Sequence, residues 1–142
     1  MTAKLDLLAR VVLRPGQWSD RFNDFARKIP HDEPGNFAEF LRKKVEIGTA
    51  KVAEIRTDSG VVGFAVYSVV PMHGAQEFVL IAAFGRDHRD LTAELSPQID
   101  LLARSLGCVS VRFHTMRPGA VSKGIAAGYH VSEIILRKHL SQ

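Results

Sequence analysis

The chain is poor in cysteine: with Cys108 alone in 142 residues, no disulfide can close within it and no cysteine-based zinc site can form. Long apolar runs are also missing, and nothing approaches the roughly eighteen uninterrupted apolar residues of a membrane span. The opening segment, Met1 to Val12, carries a charge every few residues and lacks the apolar stretch of a secretory leader, so a cytoplasmic location is expected. The histidines (His31, His73, His88, His114, His130 and His139) never fall at i, i+4 on one helix, so no metal site is expected. Neither Ser59-Gly60 nor Ser122-Lys123-Gly124 has the Gly-x-Ser-x-Gly pattern of a nucleophile elbow, which sets hydrolase chemistry aside. Repeats, low-complexity tracts and Pro/Gly/Ser linkers are absent, and residues 1–142 read as one domain.

What is present is an ordinary globular mixture, 46% hydrophobic and 24% charged, with a formal net charge of +4. The positive excess is not spread evenly. Beyond residue 100, Arg104, Arg112, Arg117, Lys123, Arg137 and Lys138 face only Glu133. A basic end of this kind suits nucleic acid, a membrane surface or the phosphates of a small ligand. Interleaved exposed aromatics, the mark of a nucleic-acid stacking platform, are lacking apart from Phe113.

Periodicity supplies the elements. Leu8 to Leu13 reads as a strand closed by Arg14-Pro15-Gly16. Trp18, Phe22, Phe25, Ala26 and Ile29 recur at helical spacing until Pro30. Asn36 and Glu39 have capping-box spacing ahead of a second stripe, Phe37, Phe40, Leu41 and Val45. Three strands follow, Lys51 to Arg56, Val61 to Val70 and Phe78 to Phe84; the first two form a hairpin, and the third is apolar throughout, as expected of a central strand. Leu91, Leu95, Ile99, Leu102 and Leu106 form a helix stripe. Pro97 interrupts it, so regular helix is expected from Ser96. Then come a strand from Cys108 to Thr115, a short helix from Ala120 to Ala127 and a last strand from Val131 to Leu136. The prediction is an α/β (α+β) domain with a mixed sheet of about six strands and about four helices, including a right-handed βαβ crossover.

This order, together with Gly107-Cys108-Val109-Ser110-Val111-Arg112-Phe113, the Arg117-Pro118-Gly119 turn and the Gly128-Tyr129 dipeptide, resembles the GNAT superfamily of acetyl-CoA-dependent N-acetyltransferases. The resemblance implies acyl transfer from acetyl-CoA to a small-molecule or peptide amine. In that family a loop of the form Arg/Gln-x-x-Gly-x-Gly/Ala holds the cofactor's diphosphate on backbone N–H groups at a helix N-terminus. Here the corresponding stretch is Asp87-His88-Arg89-Asp90-Leu91-Thr92, with Asp90 and Thr92 where the glycines would stand. The resemblance therefore assigns Arg86 or Arg89 to the diphosphate, the backbone of Ala82, Ala83 and Phe84 to the pantetheine arm, and Glu77 to the role of general base. The tyrosine that many members use as acid is replaced by Gly124. The other reading is an acetyltransferase-like protein that has lost catalysis and serves as a binding or structural module, as in some bacteriophages, where the location would be host cytoplasm or virion. The acceptor and the oligomeric state are left open.

Overall fold

A computed structural model describes residues 11–141. The first strand, β1 (Val12–Pro15), ends where Pro15 withdraws an N–H from the ladder, and Gly16 N–H turns back to the Val52 carbonyl (3.1 Å). The earlier part of the expected strand, residues 8–10, lies outside the described residues. Helix α1 (Asp20–Arg27) has its acid in the first turn and its base in the last, and buries Phe22 and Ala26. Helix α2 (Phe37–Glu46) starts as the capping box predicts, with the Glu39 N–H donating to the Asn36 side chain (3.1 Å). The reciprocal half of the box is not made, because the Glu39 carboxylate is taken by Arg42 (2.6 Å); that pairing also holds the Glu39 carboxyl below its ordinary range.

Strands β2 (Lys51–Thr57), β3 (Gly60–Met72) and β4 (Ala75–Gly85) form an antiparallel meander. The β3–β4 turn is the two-residue His73-Gly74, and both residues have positive φ (49° and 83°), which matches the twist of the flanking strands. After β4 the chain crosses through helix α3 (Leu91–Ser105) to β5 (Ser110–Phe113), which lies parallel to β4 at the edge. Helix α4 (Pro118–Ala126) follows. The sheet order is β1-β2-β3-β4-β5, antiparallel except for the last pair, so the expected mixed sheet and crossover are present.

Each face of the sheet carries one core. Phe22, Ala26 and Leu41 pack on Phe64, Val66, Ala82 and Phe84 on one face; Leu95, Ile99 and Ala103 pack on Val11, Ile55 and Phe78 on the other. Buried Cys108 joins the second core, where burial pushes its thiol pKa up. Strict alternation would send Phe78, Leu80, Ala82 and Phe84 all to one face. They divide instead, because the β3–β4 register slips by one residue at Ile81, and this bulge turns the second half of β4 over.

Two sequence expectations need correction. Helix α3 begins at Leu91, not Ser96: Asp90 caps it by accepting the Ala93 N–H (3.1 Å), and Pro97 lies inside. Near the proline, the Gln98 side chain donates to the Glu94 carbonyl (3.2 Å) and to the Val11 carbonyl (2.9 Å), and accepts the Leu13 N–H (2.9 Å). Gln98 thus satisfies backbone groups on β1 as a neighbouring strand would.

The second correction concerns strand number. Five strands are seen among the described residues, because Val131 to Leu136 joins no ladder. Its apolar side chains are out in solvent, Ile134 at 84% and Leu136 at 92% exposure. The end of the segment is tied elsewhere, with His139 Nε2 2.7 Å and Arg137 Nε 3.5 Å from the Asp32 carboxylate in the α1–α2 loop. The His139 hydrogen bond and the nearby positive charges hold the Asp32 carboxyl below its ordinary range. A carboxyl depressed in the folded state stabilises fully above the ordinary carboxylate range, and that contribution is lost as pH falls through the lowered value. Between neutral pH and about pH 2, the amide NMR signals of residues 137–139 are therefore expected to move toward those of a free chain. In Asp32→Asn they should already be there at neutral pH; signals that stay fixed throughout would exclude the tie.

Candidate active site

The parallel ladder between β4 and β5 is short. It pairs Glu77 through Leu80 with Ser110 through Phe113, preceded by Val109 N–H donating to the Gln76 carbonyl (2.9 Å). Beyond Leu80, β4 runs on through Ile81, Ala82, Ala83, Phe84 and Gly85, paired with β3 on one side and with no described strand on the other. β5 departs because Phe113 packs edge-on against Tyr129 (5.0 Å, 79°) and sits against Gly124, where an added Cβ would lie 3.1 Å from the ring. An open edge of backbone next to a parallel pair, at the carboxyl end of its strands, is the standard place for a ligand in a sheet of this kind.

The residues singled out by sequence fall into three groups around this edge. Ala82, Ala83 and Phe84 lie together on the unpaired stretch; Ala82 and Phe84 turn into the α1–α2 core, and Ala83 is exposed. Arg86 follows at its end, exposed, with its N–H on the Val62 carbonyl (3.0 Å) and its guanidinium 6.0 Å from the Phe84 ring centre. Arg89 is committed elsewhere: Nη1 lies 3.2 Å from Asp87 Oδ2 and Nη2 3.4 Å from Asp58 Oδ1, and its side chain is 16% exposed. Glu77 sits at the closed end of the pair. Ser110 Oγ donates to its Oε2 (2.8 Å), and Arg112 Nε forms an ion pair with Oε1 (3.1 Å), although the N–H is not aimed well enough for a hydrogen bond.

The N-terminus of α3 carries acid. Asp90 fills the capping position, and Asp87, next to it in the loop, accepts from the Arg89 backbone N–H (3.1 Å). His88 projects into solvent at 80% exposure, with Nδ1 3.7 Å from Asp87. Two clefts of about 410 and 400 Å³ occur elsewhere, along α1 and α2, sharing Arg27, Asn36 and Ala38 in their walls. They border charged helix surface and touch none of the β4 residues.

Sequence reasoning missed Lys28, Ser110 and the partner of Arg112. Lys28 caps the C-terminus of α1 next to Arg27, and only the fold brings its ammonium within 5.9 Å of the Phe84 ring centre. Ser110 and Glu77 are 33 residues apart, with no pattern linking them before the parallel register is known.

Solved structures match this architecture over most of the chain. An acetyltransferase from Trypanosoma brucei has 14% identity and a TM-score of 0.62, covering 92% of this chain and 99% of its own. Glucosamine-6-phosphate N-acetyltransferase from Arabidopsis thaliana has 12% identity and a TM-score of 0.63, with the same coverage. The chain has the GNAT acetyltransferase fold. A further GNAT structure, an aminoglycoside N-acetyltransferase solved with CoA, superposes at a TM-score of 0.65 with 14% identity, covering 92% of this chain and 94% of its own. No family model matches the sequence, and a search of curated proteins returns no match. At these identities the likeness concerns the GNAT fold, and activity has to be argued from the site.

Proposed function

We propose that this protein binds an acyl-CoA along the open edge of β4 and transfers the acyl group to an amine. The observation that carries this reading is the parting of β4 and β5 after Leu80, which leaves the backbone from Ile81 to Gly85 free to pair with an amide-bearing ligand arm. Bound there, acetyl-CoA would supply a thioester. A preorganised backbone N–H from the same stretch would polarise its carbonyl as the neutral amine attacks, forming the C–N bond and breaking the C–S bond, with the proton released from the attacking nitrogen passing through water to the departing CoA thiolate. The fold shared with acetyltransferases, one of them solved with CoA, supports the same reading.

Two assignments carried from the sequence are refined. Arg86, exposed at the end of the open edge, suits a phosphate better than Arg89, whose guanidinium is taken up by Asp87 and Asp58. Glu77 lies three residues before the gap, about 10 Å along a strand, and its carboxylate is engaged by Ser110 and Arg112. We therefore read Glu77 as the tie that closes β4 onto β5 below the site. The acceptor ammonium then loses its proton to water, and the rate should rise with pH until the free amine predominates.

Acetyl-CoA titrated into the protein should saturate. At a hundred times the dissociation constant it should add about 2.7 kcal/mol of stability, and mixed amines should release free CoA thiol. Glu77→Gln should lower the melting temperature and keep acetyl-CoA affinity. Full stability with lost turnover and a lost acidic limb of the pH profile would return Glu77 to the role of base. Saturable binding without turnover across an amine panel, or absence of binding at millimolar ligand, would remove acyl transfer and favour the non-catalytic reading.

A further inference from the structure

The usual anchor for a diphosphate in this reading, the N-terminus of α3, is capped by a carboxylate, and Asp87 stands beside it. Another cluster has the opposite sign. Lys28 Nζ is 5.9 Å and the Arg86 guanidinium 6.0 Å from the centre of the Phe84 ring, so the two charges lie within about 12 Å of each other. Arg117 comes to the end of α1 from the turn after β5, with Nη2 donating to the Lys28 backbone carbonyl (3.4 Å). The end of α1 and the end of β4 thus bring Lys28 and Arg86 to the Phe84 end of the open edge, and the start of α4 adds Arg117 beside the Lys28 backbone.

Their pairing distinguishes them from other bases nearby. Arg27 is paired with Asp24, Arg42 with Glu39 and Glu46, Arg89 with Asp87 and Asp58, and Arg112 with Glu77. Among the described residues, no carboxylate lies within ion-pair distance of Lys28, Arg86 or Arg117. Like charges held together without a counter-charge repel one another, and a multivalent anion relieves this more effectively than scattered monovalent ions. The guanidiniums of Arg86 and Arg117 also offer planar donor pairs suited to phosphate oxygens.

We propose that Lys28, Arg86 and Arg117 form an anion site for a diphosphate group, displaced from the N-terminus of α3 to the Phe84 end of β4. The proposal rests on the acyl-CoA reading for its ligand and on the three cations for its place. It assigns the basic end of the chain a specific partner through Arg117 and adds Lys28, which lies far from that end.

Calorimetry with three probes separates the two claims: acetyl-CoA, acetyl-pantetheine, which lacks the diphosphate, and inorganic pyrophosphate. Lys28→Gln, Arg86→Gln and Arg117→Gln should each weaken acetyl-CoA about tenfold and leave acetyl-pantetheine unchanged. The triple variant should lose pyrophosphate. Arg104→Gln, on the last turn of α3, controls for net charge and should change none of these, and melting curves confirm that each variant is folded. Acetyl-CoA affinity that survives all three substitutions would overturn the anion site and leave the acyl-CoA reading standing. Pyrophosphate bound by the wild type, lost in the triple variant and unaccompanied by any acetyl-CoA binding would uphold the site and remove that reading.

Discussion

Phe64→Ala is expected to destabilise the protein by about 3–5 kcal/mol, lowering its melting temperature by roughly 10–15 °C. Phe64 is fully buried at the centre of β3. Its ring stacks on Phe22 (5.4 Å), meets Trp18 edge-on (5.8 Å) and lies 6.1 Å from Phe25. It is therefore a main contact between the sheet and α1, and removing it leaves a cavity lined by three aromatic rings that cannot all close inward. The loss should extend to Phe25, which stacks on Phe84 (5.4 Å) at the open edge. Thermal melts of Phe64→Ala and Phe64→Leu test this. The leucine variant should recover a large part of the stability, and an alanine variant within about 1 kcal/mol of wild type would contradict the packing described.

Gly63→Ala is the second large effect, and its cause is backbone contact. A Cβ at residue 63 would collide with the Phe84 carbonyl and sit 2.6 Å from Gly85 Cα, both main-chain atoms that no rotamer can move aside. Gly63 pairs with Gly85 next to the place where β3 carries an extra residue, Val62, against β2. An added methyl must push β3 from β4 at the end of the open edge, costing about 1–3 kcal/mol as overpacking and displacing Phe84 and Arg86. Acetyl-CoA affinity should fall along with stability. At Gly85 the obstacle to a Cβ is the Leu91 side chain, which has freedom to turn, so Gly85→Ala should be milder in both respects. Equal effects at the two glycines would argue against a rigid β3–β4 contact.

The sequence was legible where a periodic pattern meets a local signal. The Asn36 cap, the β2–β3 hairpin, whose turn places the Ser59 N–H on Thr57 Oγ1 (3.1 Å), and the apolar run that became β4 all follow from short-range chemistry. The crossover from β4 through α3 to β5 was readable as well, because a strand, a helix and a strand in that order leave few ways to pack. Val131 to Leu136 misled because β-branched composition reports strand propensity without saying whether an edge is within reach. Pro97 misled for the reverse reason: a strong local rule gave way to the Asp90 cap and to a helix face buried through Leu95, Ile99 and Ala103.

The site was legible in part. The stretch from Ala82 to Phe84 was marked by resemblance, and the parting of the strands around it depends on Phe113 turning toward Tyr129. That turn is a tertiary event with no signature in Cys108 to Thr115. Glu77 shows the limit of position alone, since its neighbours Ser110 and Arg112 come from another strand. Lys28 had no signal at all. It enters the argument only because α1 packs across the end of β4.

Amide-resolved NMR during an acetyl-CoA titration shows residue by residue whether the ligand lies along the open edge of β4. The amides of Ile81 to Gly85 should shift first and saturate together with those of His114 to Arg117, while Asn23, Arg27 and Asn36 in the clefts along α1 and α2 stay in place. Saturable shifts confined to those clefts, or an unchanged spectrum at millimolar acetyl-CoA, would contradict that placement.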